Sequence, residues 1–230
     1  MFNKIKDAFT LAEVLITLMI LGVISILTIP ALVRKIEDMQ TVTQVKSAYS
    51  IFANAYLRAI AENGTGDNWD IGTTNSSQGA IRFYNYLKPY LNIKKTCGNN
   101  AGCFAKNYKS LNGNAAWTDI DTQSVFAKGQ LQNGMSFLFW INKRDINVNF
   151  GGMALATVLV DVNGLTAPNR LGYDTFEFTF YPARLSYSYV TSGSNSCNIT
   201  IPSSTGLTCS VWILKHGNMD YKYRDVSAEW

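Results

Sequence analysis

Three groups of residues in this 230-residue chain have types and spacings suited to chemistry. The first is one carboxylate, Glu13, the only ionisable side chain in an apolar run from Phe9 to Val33. An ionised carboxylate at membrane depth costs on the order of 3 kcal/mol on insertion scales, so Glu13 asks for a cationic partner. It lies four residues after Phe9, on the same face of a helix. A cut between Ala8 and Phe9 would create an α-amine with a pKa of about 8. That amine could neutralise Glu13 within one chain, or from Phe9 of a neighbouring helix displaced along its axis. Removing one partner of a buried ion pair costs about 3–5 kcal/mol, so such pairing would bias the register of an assembly.

The second group is Cys97, Cys103, Cys197 and Cys209. An even count outside an apolar anchor reads as disulfides formed in an oxidising compartment. Three pairings are open, and Cys97–Cys103 with Cys197–Cys209 is the sequence-local one. Zinc would call for Cys-x-x-Cys-type spacing, which is missing. The third group is "VDVNGLTAPNRLGYDTFEF", where Asp161, Asn163, Asn169 and Asp174 offer oxygen atoms around Gly164 and Gly172. Oxygen-rich loops bind calcium, which makes Asp161, Asn163 and Asp174 candidate ligands. "DVNG" lacks the EF-hand spacing and its terminal Glu. The alternative is an Asn-Gly turn between two strands, its Asp side chains bonded to backbone.

Beyond these the chemistry is sparse. His216 is the only histidine, and no phosphate loop, nucleophile elbow or paired-carboxylate spacing occurs. We therefore expect no enzyme and no cofactor other than the calcium considered above. The net charge of +4 is unclustered, so nucleic-acid binding is not indicated.

The elements that must position these residues begin with the apolar run. As a helix, Phe9 to Val33 is roughly 37 Å long at about 1.5 Å per residue, against a hydrocarbon core of about 30 Å. It reads as one transmembrane helix. A secretory signal would be shorter and end at a small-residue cleavage site, which Pro30-Ala31 matches poorly. Lys4 and Lys6 precede the run; Arg34 and Lys35 follow it, balanced by Glu37 and Asp38. The positive-inside rule thus favours a cytoplasmic amino terminus only slightly. Within the run, Gly22 and Pro30 flank several β-branched residues, and this part of the helix is expected to bend or locally unwind.

From Arg34 to Glu62, Ile36, Met39, Val42, Val45, Tyr49, Phe52, Tyr56 and Ile60 recur every three or four residues, an amphipathic helix. A polar loop follows, then a head from about Asn63 to Trp230. "AIRFYNYLKPYL" predicts a short helix ended by Pro89. After it the period becomes two: "MSFLFWI", "MALATVLVDV", "DTFEFTFYP", "RLSYSYVTS" and "CSVWIL" predict strands. "WILKHGNMDYKY" predicts an edge strand with a polar tail. The expected class is α+β: a long helix, transmembrane then amphipathic, laid on an antiparallel β-sheet head.

"AFTLAEVLITLMILGVISILTIPA" resembles the amino-terminal signature of type IV pilins and type II secretion pseudopilins: Phe9, Thr10, Leu11, Ala12, Glu13, an apolar helix with Gly22, and Pro30 near its end. The similarity covers about residues 4 to 33. Ala8 stands where the family usually has Gly before the cut. The resemblance implies a leader, 1–8, removed by a prepilin peptidase in the inner membrane with methylation of the Phe9 amine. It implies a transmembrane helix, 9–33, an amphipathic helix, 34–62, and a head, 63–230. It further implies a pilin-like fold, and assembly with other pilin-like subunits by a pilus or secretion machinery, Glu13 aligning each subunit through a neighbour's Phe9. In that family a disulfide near the carboxyl end often closes a surface loop, as Cys197–Cys209 would. The expected function is a structural subunit, with an extracytoplasmic head, of a type IV pilus or type II secretion pseudopilus. The alternative is a membrane-tethered binding protein, an adhesin or DNA-uptake component, using the helix as an anchor.

Overall fold

The structure, a computed structural model, describes residues 10–144, 154–187 and 197–230. The Ala8–Phe9 junction lies outside them. The chain divides into two compact units, residues 1–40 and 41–230.

In the first unit the described chain is the opening part of α1 (Leu11–Asn63). From Leu11 to Val33 its large apolar side chains are all exposed, from Val14 at 42% to Leu11 at 78%. It is the one helix among the described residues long and apolar enough to cross a membrane. The helix runs unbroken through Gly22 and Pro30. Proline supplies no N–H, so the Ile26 carbonyl loses its helical donor. The Ser25 and Thr28 hydroxyls donate to the carbonyls of Leu21 and Ile24, at 2.7 and 2.9 Å.

In the second unit the remainder of α1 is part of the head core. Val42, Val45, Ala48, Phe52, Ala55, Tyr56 and Ala59 are buried. The amphipathic stripe is covered only from Val42 onward, for Ile36 and Met39 are 45% and 61% exposed. After α1 come α2 (Ser77–Leu87), β1 (Ile93–Gly98), β2 (Asn107–Lys109), β3 (Ala115–Thr118), β4 (Ala127–Leu131), β5 (Ser136–Arg144), β6 (Ala154–Asp161), β7 (Thr175–Tyr181), β8 (Arg184–Tyr187) and α3 (Cys209–His216). Ser76 caps α2 by accepting from Gly79 N–H at 2.9 Å, and Pro89 falls in the 3-10 turn that ends it.

Six strands form one antiparallel sheet in the order β1-β4-β5-β6-β7-β8, and β2 and β3 form a separate ribbon. The strict alternation of "TFEFTFY" places Phe176, Phe178 and Phe180 on one face, beside Phe137, Phe139, Val158 and Val160 of the paired strands. The α1 aromatics pack there edge-on: Phe52 against Phe137 and Phe139, Tyr49 against Phe178, Tyr56 against Phe180, with ring centroids 4.9–5.8 Å apart. From α2, Phe83 and Tyr84 join them. The opposite face carries a second apolar cluster of Leu138 and Leu159 under Phe104, Tyr108, Ile120 and Leu171. Covered on both sides, β6 is buried throughout.

Two expectations change. "CSVWIL" is not a strand but the start of α3, which ends at Gly217 in the left-handed conformation (φ 70°), its N–H donating to Ile213 O. The chain after it forms 3-10 turns rather than an edge strand. "RLSYSYVTS" is a strand over its described residues, Arg184–Tyr187, and its residues 188–192 lie outside the described chain. The strands β1 to β4 carry no clear alternation and were not anticipated.

Candidate functional site

The first turn of α1 is closed by two residues holding each other. The Glu13 carboxylate oxygen Oε2 accepts from Thr10 N–H and from the Thr10 hydroxyl, both at 2.8 Å, while Thr10 Oγ1 accepts from Glu13 N–H at 3.2 Å. This is a capping box, which satisfies donors that a helix start leaves orphaned. Its signal was present in the sequence as Thr10-Leu-Ala-Glu13, the Ser/Thr-x-x-Glu pattern, but Thr10 had no role in the expectation. In the single chain Glu13 is therefore not left without partners. They are neutral donors, and no cation pairs with it among the described residues.

The second assembly is the 162–174 connection between β6 and β7. It is a long loop that begins with a turn at Asn163-Gly164, where Asp161 Oδ1 accepts from Asn163 N–H at 3.3 Å, and Asp161 and Thr175 at its ends are paired across the sheet. The Asp174 carboxylate accepts from Asn169 N–H and Arg170 N–H, both at 2.7 Å, and from the Thr175 hydroxyl at 3.0 Å. It thereby holds the turn in which Asn169 has a φ of 50°. Gly172, at φ 77°, lies so close to Cys209 that an added Cβ would come within 2.8 Å of its Sγ. Arg170 donates to the carbonyls of Ser110 and Leu111, pinning the loop to the β2–β3 ribbon. Asp161 is fully buried and accepts from the Tyr108 hydroxyl at 2.7 Å.

Burial, and then the charge of Asp174, pushes the Asp161 carboxyl up to about 8. Burial also raises Asp174, against the lowering effect of its backbone donors. The Tyr108 hydroxyl is raised by burial first and the Asp161 charge second. Calcium takes six to eight oxygen ligands. The loop offers the amide oxygens of Asn163 and Asn169, both buried without a hydrogen-bond partner, and two carboxylates that already accept protein donors. No group of three or more acidic, His or Cys side chains gathers among the described residues. Hydrogen bonds to Asp174 hold the shape of the loop.

Both disulfides have the sequence-local pairing, Cys97–Cys103 and Cys197–Cys209, with no free cysteine among the described residues. Asp121 shapes the first of these loops too, accepting from the N–H groups of Gly102, Cys103 and Phe104 at 2.6–3.1 Å. Lys95 Nζ donates to Gly102 O at 2.6 Å. Neither contact had a signal in the sequence.

The class defined by these features is an α+β protein with a disulfide-bonded antiparallel head and one exposed apolar helix of membrane-spanning length. The chain belongs to a family of unknown function, DUF6613, whose pattern matches residues 31–195. The match takes in the amphipathic part of α1 and every strand. It leaves out the Thr10–Glu13 turn and the Cys197–Cys209 bridge. No curated protein and no solved structure matches the chain.

Proposed function

We propose that this chain is a structural subunit of a filament of the type IV pilus or type II secretion pseudopilus kind. In this proposal a prepilin peptidase cuts between Ala8 and Phe9 and methylates the new amine. The first part of α1 holds the subunit in the inner membrane with the head outside the cytoplasm, until the assembly machinery moves it into a filament. There the apolar helices pack together and Glu13 exchanges its neutral cap for the Phe9 amine of a neighbour.

The observation that carries this proposal is the apolar, fully exposed stretch Leu11–Val33 with one carboxylate in its first turn. An exposed apolar surface of that extent needs lipid or other protein around it, and a lone anion in it needs a counter-charge. The amino-terminal resemblance adds the cleavage site and the order of events.

Glu13→Gln tests it. Glutamine can take the place of glutamate in a capping box, so the variant should keep its helix start and still enter the membrane. It carries no charge, and it should be missing from sheared or secreted filaments that contain the unaltered subunit. Normal incorporation of Glu13→Gln would remove the charge argument and leave α1 as an anchor only. Mass spectrometry of the filament subunit should find Phe9 first, carrying one extra methyl group.

A further inference from the structure

Where α1 meets the turn between β4 and β5, wholly within the head, there is a cavity of about 380 Å³. Its floor is apolar, made by Ile51, Ala55 and Leu131, and its rim is polar. Asn54 and Asn92 present side-chain amides that make no hydrogen bond among the described residues. Gln132 and Asn133 are each half engaged. The Gln132 Nε2 donates to Ile93 O at 3.4 Å, and Asn133 Oδ1 accepts from Met135 N–H at 3.2 Å. This leaves Gln132 Oε1 and Asn133 Nδ2 for a ligand.

Arg58 supplies the one cation of the lining. It is exposed and forms no ion pair among the described residues. Glu62, one turn further along α1, lies near enough to Tyr90 to raise its phenol. Tyr90 completes the lining of the cavity.

We infer that this cavity binds a saccharide of the uronic acid kind, one carboxylate of which meets Arg58. Each amide places a donor beside an acceptor, which matches neighbouring sugar hydroxyls that both give and accept. A guanidinium pairs with a carboxylate through two parallel hydrogen bonds, and one guanidinium matches one negative charge. A nucleic acid would call for several cations along its backbone, and an amphipathic helix for a long apolar groove. The apolar floor and the Tyr90 ring can receive the C–H face of a sugar ring. The volume is at the small end of the range of about 300–1,000 Å³ usual for ligand sites, which suits one or two rings. The inference rests on the head alone and does not depend on filament assembly.

The test is titration of the full-length chain in detergent with digalacturonate, with its uncharged methyl ester as the comparison, followed by calorimetry and saturation-transfer NMR. Digalacturonate should bind, and the ester should bind roughly tenfold more weakly, the loss expected for one charge-assisted hydrogen-bond pair. Arg58→Gln should weaken digalacturonate by a similar factor and leave the ester unchanged. Asn54→Ala combined with Asn92→Ala should weaken both. All three side chains are exposed, so the thermal midpoints of these variants should match that of the unaltered chain. Absence of binding at millimolar sugar overturns the inference, as does digalacturonate binding that Arg58→Gln does not change. Competition by a short polyglutamate as effective as the sugar also overturns it, because the cavity would then be reading charge alone. None of these outcomes bears on Glu13 and filament entry.

Discussion

Asp161 shows what one buried side chain does to the head. Its carboxyl ionises near 3.8 in an unfolded chain and is pushed up to about 8 in the fold by burial and by Asp174. Below about pH 4 both states hold the proton and its contribution to stability is intact. Between there and about pH 8 the fold keeps a proton that the unfolded chain releases, so stability falls as pH rises. The slope approaches about 1.4 kcal/mol per pH unit at most. Asp161→Asn keeps the shape and cannot ionise, so urea unfolding across this range should give a flatter profile and a gain near pH 8. An unchanged slope would mean that Asp161 ionises normally. Asp174 differs because its oxygens serve two backbone N–H groups. Asp174→Ala should cost about 3 kcal/mol, since buried donors left unpaired each cost about 1–3 kcal/mol.

At the scale of elements, α1 has two regimes along its length. The segment from Val42 onward is held by aromatic packing on β5 and β7, where Phe52 touches both Phe137 and Phe139. Phe52→Ala should destabilise the head by about 3–5 kcal/mol, seen as a lower midpoint in thermal unfolding. Leu18→Ala, in the exposed stretch, should leave that midpoint where it was. The disulfides differ in the same way. Opening Cys197–Cys209, with a sequence separation of 12, should cost about 3 kcal/mol on the chain-entropy estimate. The shorter Cys97–Cys103 loop should cost about 2 kcal/mol and move less, because Asp121 and Lys95 still hold it. Equal losses from the two paired Cys→Ser variants would show that Asp121 does not hold the loop.

At the scale of the molecule, the head unit of residues 41–230 contains both apolar clusters, both disulfides and the whole sheet. Residues 41–230 made alone in an oxidising compartment should fold, stay soluble without detergent and unfold in one cooperative transition with the midpoint of the full chain. A non-cooperative melt would show that the first forty residues take part in the fold. Residues 11–33 present a continuous exposed apolar surface, whereas the head depends on contacts among distant segments.

How legible each part was follows from how local its cause is. The apolar run and the alternation of β7 are decided by neighbours a few residues apart, so the sequence by itself determined them. The cysteine count pointed to disulfides but left three pairings open, and the fold decides the local one. β4 shows the opposite case. "AKGQL" contains a lysine that reads as solvent-facing, yet Lys128 is buried, and its ammonium donates to the carbonyls of Gln123 and Asn99. Only the loops folded over it supply those acceptors. "CSVWIL" is too short for periodicity to separate helix from strand, and the Gly217 cap and the packing of α3 on β7 decide it. The juxtaposition of Tyr108 and Asp161, and of Arg58 with Asn92 and Asn133, belongs to the tertiary structure alone. Those residues are far apart in the chain, and only strand register and helix docking bring them within reach of one another.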